Sequence, residues 1–229
     1  MNTYAVIVAA GKSVRFGGNT PKQFAEICGR PLLSWTISRF EKAASIDAIV
    51  LVVAEESLVH TGENIVDRYD FQKVRKVVAG GANRRDSVLN GLNSLPGTTE
   101  LVAIHDGARP LVTPADIDRV VAAAATEGAA MLAVCATDTV KRVKDGIIQA
   151  TVDRDSLYLA QTPQVFRYDL ILSAHRKAGP NRVITDDASL LEVNGVKVRI
   201  VEPTGPNLKV TTADDMLIAE ALLAREKHD

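Results

Sequence analysis

Short apolar runs alternate along this chain with stretches whose apolar residues recur at helical spacing. The runs YAVIVAA (4–10), AIVLVVA (48–54), VRKVVAG (74–80), LVAIHD (101–106) and AAMLAVCA (129–136) predict strands, mostly buried on both faces. Between them, Pro31 opens a helix in which Leu33, Ile37 and Phe40 recur at i, i+4 and i+7. A second helix starts at Thr113-Pro114, where Asp116 completes a T-x-x-D capping box. Its apolar stripe is Ile117, Val120, Val121 and Ala124. Residues 168–178, 185–193 and 212–226 predict further helices, and 196–202 a strand. Strands alternating with helices predict an α/β fold, with a mostly parallel sheet covered by helices on both sides. Ligands of such sheets sit beyond the carboxyl ends of the strands. The loops Ala9–Lys22, Gly80–Ser87 and His105–Pro110 all fall there.

The rhythm changes after Cys135. TVKRVKDGIIQATV (139–152) predicts a hairpin turning at Asp145-Gly146. A lone two-stranded ribbon is marginal in water, so this β-arm, an insertion over about 137–155, is expected to pack on a partner subunit.

Composition narrows the function classes. The 229 residues suit one domain, 1–229, and are 46% hydrophobic and 24% charged with a net charge of −1. A general nucleic-acid binder carries a basic excess, which is absent, so any anion site must come from local clusters. No run approaches the ~18–20 apolar residues of a membrane span. Cys28 and Cys135 form no C-x-x-C pair, and a reducing cytoplasm fits them. The histidines at 60, 105, 175 and 228 show no metal-ligand spacing, and His105 reads as a packed strand-end residue.

The first loop, AVIVAAGKSVRFGGNTPKQ (5–23), is neither of the familiar phosphate loops. A P-loop ending in Gly11-Lys12-Ser13 needs glycine at position 6, which is Val6; counted from Gly11, the dinucleotide fingerprint needs glycines where Ser13 and Phe16 stand. What remains is a strand running into the small residues Ala9, Ala10 and Gly11, whose backbone N–H groups a ligand can approach closely. Lys12, Arg15 and Lys22 follow, and no carboxylate precedes Glu26. A polyphosphate is the natural guest, and a solvated basic loop is the alternative.

Three further constellations bear on chemistry. In GGANRRDSV (80–88), Gly81 and Ser87 with the first helical N–H groups suit a planar polar edge such as a base, or else form a tight turn with a polar helix start. In HDGARP (105–110), Asp106 at a strand tip suits a metal, ribose or sugar hydroxyl, or else pairs with Arg109 on the surface. Arg154 and Lys209 suit a second anionic group and Thr162 and Thr185 supply hydroxyls, against the plain reading of solvated charges and caps. Asp186-Asp187 and Asp214-Asp215 sit near helix starts, where the helix dipole accounts for them.

Together AAGKSVRFGGNTPKQF (9–24), GGANRRDSV, HDGARP, DTVKRV (138–143), TVDRDSLYLAQTPQVF (151–166), ITDDAS (184–189) and NLKVTTADD (207–215) resemble one family. It is the 2-C-methyl-D-erythritol 4-phosphate cytidylyltransferases of the non-mevalonate isoprenoid pathway. The resemblance implies a single Rossmann-like nucleotidyltransferase domain, a homodimer joined by the β-arm, CTP and methylerythritol phosphate as substrates, and a divalent metal, normally Mg²⁺. By motif, Arg15 and Lys22 stabilise the transition state, while Arg154 and Lys209 position the attacking phosphate. Ala9, Ala10, Gly11, Ser13, Gly81, Ser87 and Asp106 hold CTP. Asp106, Arg109, Thr139, Thr162 and Thr185, with Arg154 and Lys209, surround the acceptor. No side chain is assigned to the metal, which the CTP phosphates hold, with Asp106 the one candidate. One departure stands out: the family's loop usually reads A-A-G-x-G-x-R, and the second glycine is Ser13 here. Two alternatives remain at this level: a cytidylyltransferase for another polyol phosphate, such as ribitol 5-phosphate, and a nucleotide-binding regulator without catalysis.

Overall fold

A computed structural model of the chain describes residues 1–11, 21–178 and 186–226. The five runs singled out by their apolar pattern become β1 (Thr3–Ala9), β4 (Ala48–Val53), β5 (Val74–Ala79), β6 (Leu101–Asp106) and β7 (Ala129–Cys135). Two short pieces, β2 (Glu26–Ile27) and β3 (Arg30–Pro31), pair with each other between β1 and α1 (Leu32–Lys42). Helical turns over Glu55–Ser57, Leu58–Thr61 (α2) and Gly62–Asp67 follow β4; the sequence pattern did not predict them. Then come α3 (Arg84–Asn93), α4 (Pro114–Glu127), the arm strands β8 (Val140–Lys144) and β9 (Ile147–Val152), and β10 (Tyr158–Arg167). The chain closes with α5 (Tyr168–Lys177), α6 (Ala188–Glu192), β11 (Arg199–Val201) and α7 (Ala213–Arg225).

The main sheet has seven strands in the order β11-β7-β10-β6-β1-β4-β5. All neighbours are parallel except β10, which runs antiparallel to both β6 and β7. This strand was missed by pattern because Gln161, Thr162, Pro163 and Gln164 interrupt its apolar run. Proline has no N–H to give a ladder, and the pairing with β7 shifts register between Ala160 and Gln164, across that interruption.

Strand alternation divides the core in two. Ala5, Ile7 and Ala9 of β1 pack with Leu33, Ile37 and Phe40 of α1 and Ile117 and Val120 of α4 on one face. Val6, Val50 and Val52 pack with Val88 and Leu92 of α3, Ile171 of α5 and Leu190 of α6 on the other. The central strands are therefore buried on both faces, while Arg75 and Lys76 of the edge strand β5 are exposed. A third cluster seats α7, through Ala219 and Leu223, on Ile27, Leu32 and Leu111.

The cap at α4 forms by half. Thr113 accepts from the Asp116 N–H at 3.0 Å, but the Asp116 carboxylate turns to the Thr204 N–H and to Arg119. The full reciprocal box is at α7, between Thr212 and Asp215. The arm turns at Asp145 (φ 52°) and Gly146 (φ 78°), the pair of left-handed residues a type I′ turn needs. Val143, Ile147 and Ile148 on it are more than half exposed.

Helix α3 lies against the sheet at Gly91, where a Cβ would stand 2.5 Å from Val6 Cγ1 and 2.9 Å from Val52 Cγ2. Gly91→Ala is expected to destabilise the protein by about 1–3 kcal/mol through overpacking, against the usual gain from replacing a helical glycine. Urea unfolding midpoints check this; an unchanged or higher midpoint contradicts so close an approach.

Candidate active site

The carboxyl ends of β1, β5 and β6 open into a cavity of about 260 Å³. Ala9, Ala10 and Gly11 form one wall, and Gly81, Ala82, Asn83, Arg84 and Ser87 another. Lys22, Gln23, Asp106, Gly107, Ala108 and Lys209 complete it. Small residues allow these loops to meet. A Cβ on Gly107 would lie 2.9 Å from Ala9 Cβ, and one on Gly81 would lie 2.4 Å from Asp86 Cβ. The Gly81 N–H donates to Ser87 Oγ at 3.0 Å, and that hydroxyl donates to the Asn83 carbonyl at 2.8 Å. Asn83 in turn caps α3 by accepting from the Asp86 N–H.

Asp106 is the electrostatic centre of the cavity. Its Oδ2 lies 2.6 Å from Lys209 Nζ and 4.0 Å from Arg109 Nε, and its Oδ1 lies 3.2 Å from Arg84 Nε. Burial opposes the charge, but Arg84, Lys209 and Arg109 outweigh it and hold the carboxyl well below the usual carboxylate range. The surface Asp–Arg pair weighed from the sequence is thus replaced by a four-member charge cluster, in which Asp106 and Arg109 are buried and Arg84 and Lys209 partly exposed. Lys22 reaches the cavity from the other side, donating from Nζ to the Val210 carbonyl at 2.8 Å. Arg109 is buried and donates from Nη1 to the Asn207 carbonyl at 2.6 Å.

Behind Asp106 runs a chain of neutral hydrogen bonds. The Asp106 N–H donates to Thr162 Oγ1 at 3.0 Å, and Thr162 Oγ1 lies 3.1 Å from His105 Nδ1. His105 Nε2 lies 3.3 Å from the Arg109 carbonyl. A carbonyl only accepts, so Nε2 carries the proton and the Thr162 hydroxyl donates to Nδ1. Burial is the main reason the imidazolium is disfavoured, and the His105 pKa falls to about 3. The ring is a packed structural member, tilted against Phe40, as the sequence suggested.

Among the expected site residues, Ala9, Ala10, Gly11, Lys22, Gly81, Ser87, Asp106 and Lys209 line the cavity together. Arg109 and Thr162 stand directly behind it, with Thr162 engaged by its neighbours. Ser13, Arg15 and Thr185 lie outside the described residues. Thr139 and Arg154 are exposed at the root of the arm, where Arg154 donates to the Thr137 carbonyl. Arg84 and Asp187 were not anticipated. Arg84 belongs to a quoted motif but has no distinguishing neighbour in sequence. Asp187 was explained by the helix dipole, yet it is fully buried and paired with Arg84 at 2.8 Å and His175 at 3.0 Å. Asp186 fits the helix-start account, accepting from the Ser189 N–H, as do Asp214 and Asp215 in the first turn of α7.

Among the described residues, no group of three or more His, Cys, Asp or Glu side chains is placed to hold a metal ion. No helix among them is long and apolar enough to cross a membrane. A lone carboxylate among cations fits a Mg²⁺ ion held mainly by substrate phosphates, because such ions take one or two protein carboxylates and fill their shell elsewhere.

The linkage sign for His105 follows from its lowered pKa. Between about pH 6.5 and 3 the unfolded histidine is protonated and the folded one is not. Its contribution is complete above pH 6.5 and is lost as the pH falls. Unfolding free energy is expected to drop on acidification, with His105 contributing at most about 1.4 kcal/mol per pH unit. Urea midpoints from pH 7 to 4 should fall less steeply in His105→Gln than in the parent. Equal slopes contradict a buried neutral imidazole.

The family model of the 2-C-methyl-D-erythritol 4-phosphate cytidylyltransferases matches residues 3–225. A curated protein of that name from Geobacter metallireducens is 45% identical over 227 residues, covering 97% of this chain and 98% of its own. One from Desulforamulus reducens is 47% identical over 228 residues, with 98% and 97% covered. Among solved structures, the 4-diphosphocytidyl-2C-methyl-D-erythritol synthase of Anaerococcus prevotii superimposes with a TM-score of 0.86 at 30% identity, covering 97% of this chain and 96% of that one. The 2-C-methyl-D-erythritol 4-phosphate cytidylyltransferase of Thermus thermophilus gives 0.80 at 31%, with 98% and 100% covered. A cationic cavity at the strand ends and a match running almost the whole length of the chain lead to one assignment: this protein belongs to the 2-C-methyl-D-erythritol 4-phosphate cytidylyltransferase family.

Proposed function

We propose that the cavity around Asp106 is where the cytidylyl group of CTP passes to 2-C-methyl-D-erythritol 4-phosphate, giving CDP-methylerythritol and pyrophosphate. The observation that carries this reading is the cluster of Lys209, Arg84 and Arg109 on Asp106, with Lys22 on the same cavity. Two phosphorylated molecules brought together need fixed positive charge more than a base. The acceptor phosphate is already an anion, so its oxygen attacks the α-phosphorus directly while the bond to the pyrophosphate oxygen breaks. The electron pair leaves with pyrophosphate. No proton has to move, which agrees with the buried His105 being spent on Thr162 and the Arg109 carbonyl.

Roles are read from position for the described residues and from the family motif for Ser13, Arg15 and Thr185. Ala9, Ala10, Gly11 and Gly81 bring backbone to the nucleotide, with Ser87 holding the Gly81 loop in shape and Ser13, by motif, serving CTP. Lys22 and Arg15 stabilise the charge gathering at the α-phosphorus. Lys209 exchanges Asp106 for a phosphate oxygen, freeing Asp106 for the ribose or acceptor hydroxyls. Arg109 and Thr162 fix the Asp106 turn from behind, and Thr185, by motif, serves the acceptor. The triphosphate would hold a Mg²⁺ ion, with Asp106 its one protein candidate, and the ion would supply positive charge for the pyrophosphate oxygens. Residues 1–229 act as one nucleotidyltransferase domain in the cytoplasm, where cysteines such as Cys28 and Cys135 stay reduced.

Arg154 and Thr139 are assigned to the acceptor of a partner subunit. They are exposed on the arm, which carries the apolar residues Val143, Ile147 and Ile148 into solvent. In a homodimer joined through the arms, burial of these residues is favourable and Arg154 and Thr139 serve the partner's cavity.

Product identification after incubating CTP, Mg²⁺ and methylerythritol phosphate tests the reaction, with ribitol 5-phosphate as the competing acceptor. CDP-methylerythritol and pyrophosphate are the expected products; preferred turnover of ribitol 5-phosphate overturns the acceptor assignment. Arg15→Ala and Lys22→Ala should each lose roughly 10²–10³ in turnover, and a loss under tenfold in a folded variant contradicts their roles. Arg154→Ala should raise the acceptor KM more than the CTP KM. Mixing it with Lys22→Ala should recover activity in hybrid dimers, whereas no recovery argues that each cavity uses its own arm.

A further inference from the structure

Two carboxylates hold one arginine at the cavity wall. Arg84 presents Nε to Asp106 Oδ1 at 3.2 Å and Nη1 to Asp187 Oδ2 at 2.8 Å. Asp106 opens on the cavity, whereas the Asp187 side chain is 0% exposed. The other oxygen of Asp187 faces His175 Nε2 at 3.0 Å, and His175 is equally buried. The carboxylate only accepts, so Nε2 carries the proton of this bond. The backbone is fixed too: the N–H groups of Asp187 and Ala188 both donate to Gln164 Oε1 at 3.0 Å. On the far side, Arg85 of the same α3 turn donates to the Ala178 and His175 carbonyls at the end of α5. The first turn of α3 is therefore tied to both α5 and the start of α6.

A buried ion pair is a poor source of stability, since desolvation offsets its attraction. Its value lies in geometry. Arg84 has five donors in a planar fork, and a single carboxylate beside it favours a two-pronged pairing that covers both oxygens. Asp187 draws one prong away. The guanidinium then touches only Oδ1 of Asp106 and leaves Oδ2 to Lys209, the partner that a phosphate can replace.

We propose that Asp187, oriented by His175, is a positioning residue of the nucleotide site, holding Arg84 along the cavity wall so that it does not close over Asp106. This rests on the reading of the cavity as the CTP site.

Calorimetric CTP binding and steady-state kinetics on Asp187→Asn test it, because asparagine keeps the shape and the acceptor for His175 but removes the charge. CTP Kd and KM are expected to rise about tenfold, while kcat and the acceptor KM stay within about threefold. Arg84→Gln should weaken CTP binding as well, and adding Asp187→Asn to it should cost nothing further. His175→Gln, which keeps an N–H donor, should bind CTP within about twofold of the parent, and His175→Leu should bind it more weakly. Unchanged CTP affinity in folded Asp187→Asn, even with a lowered Tm, overturns the proposal, as do penalties that multiply in the double variant. Should Asp187→Asn fail to fold, the contrast between the two His175 variants decides alone, and equal affinities overturn it. Failure of the parent itself to bind CTP counts instead against the proposed function.

Discussion

Asp106 carries a negative charge into a cavity whose lining includes Lys22, Arg84 and Lys209 and which Arg109 backs, and the geometry of the site depends on how that charge is shared. Without it, several cations would repel one another in a partly buried space and the loops bearing them would separate. With it, strand β6, helix α3 and the segment before α7 are drawn to one point. The tip of β6 is held from below by neutral bonds through Thr162 and His105, so the carboxylate is placed by backbone rather than by its own rotamer alone. In this arrangement the cations are occupied by Asp106, and under the proposed function substrate phosphates compete for them.

The division of the molecule follows from this constraint. Both layers of helices are anchored by the alternating faces of β1 and β4, which leaves the strand ends to be shaped by short loops of small residues. Gly81 and Gly107 approach neighbours so closely that a side chain at either would push the walls apart. The polar chemistry is then delivered from segments distant in sequence, with Asn207 and Lys209 reaching the turn formed by Asp106 and Arg109.

Much of this was legible in the sequence. Four of the apolar runs marked β1, β4, β6 and β7 because double-sided burial demands nearly continuous apolar residues, the fifth marked the edge strand β5 despite its exposed Arg75 and Lys76, and the Asp145-Gly146 pair marked the arm because its turn needs left-handed residues. Strand β10 was invisible for the converse reason: polar residues and a proline stand at its centre, where Thr162 and Gln164 hold the site's loops by hydrogen bonds. Of the candidate residues, those carried by β1, β6 and the Gly81 loop meet at one cavity, and their signal in the sequence is the small residues that follow each strand. The Arg84–Asp187–His175 connection was hidden, since three residues on separate helices or their approaches, up to 103 positions apart counting from residue 84 to residue 187, give no local signal. The helix dipole offered a sufficient reason for Asp187 only because its burial cannot be read from its neighbours.

The sharpest test is a crystal structure with a non-hydrolysable CTP analogue and the acceptor phosphate bound. The account predicts that Lys209 Nζ has left Asp106 for a phosphate oxygen while Arg84 remains on Asp187, with Asp106 turned to a ligand hydroxyl or metal. Phosphates bound elsewhere, with Lys209 still on Asp106 at its present distance, would contradict it.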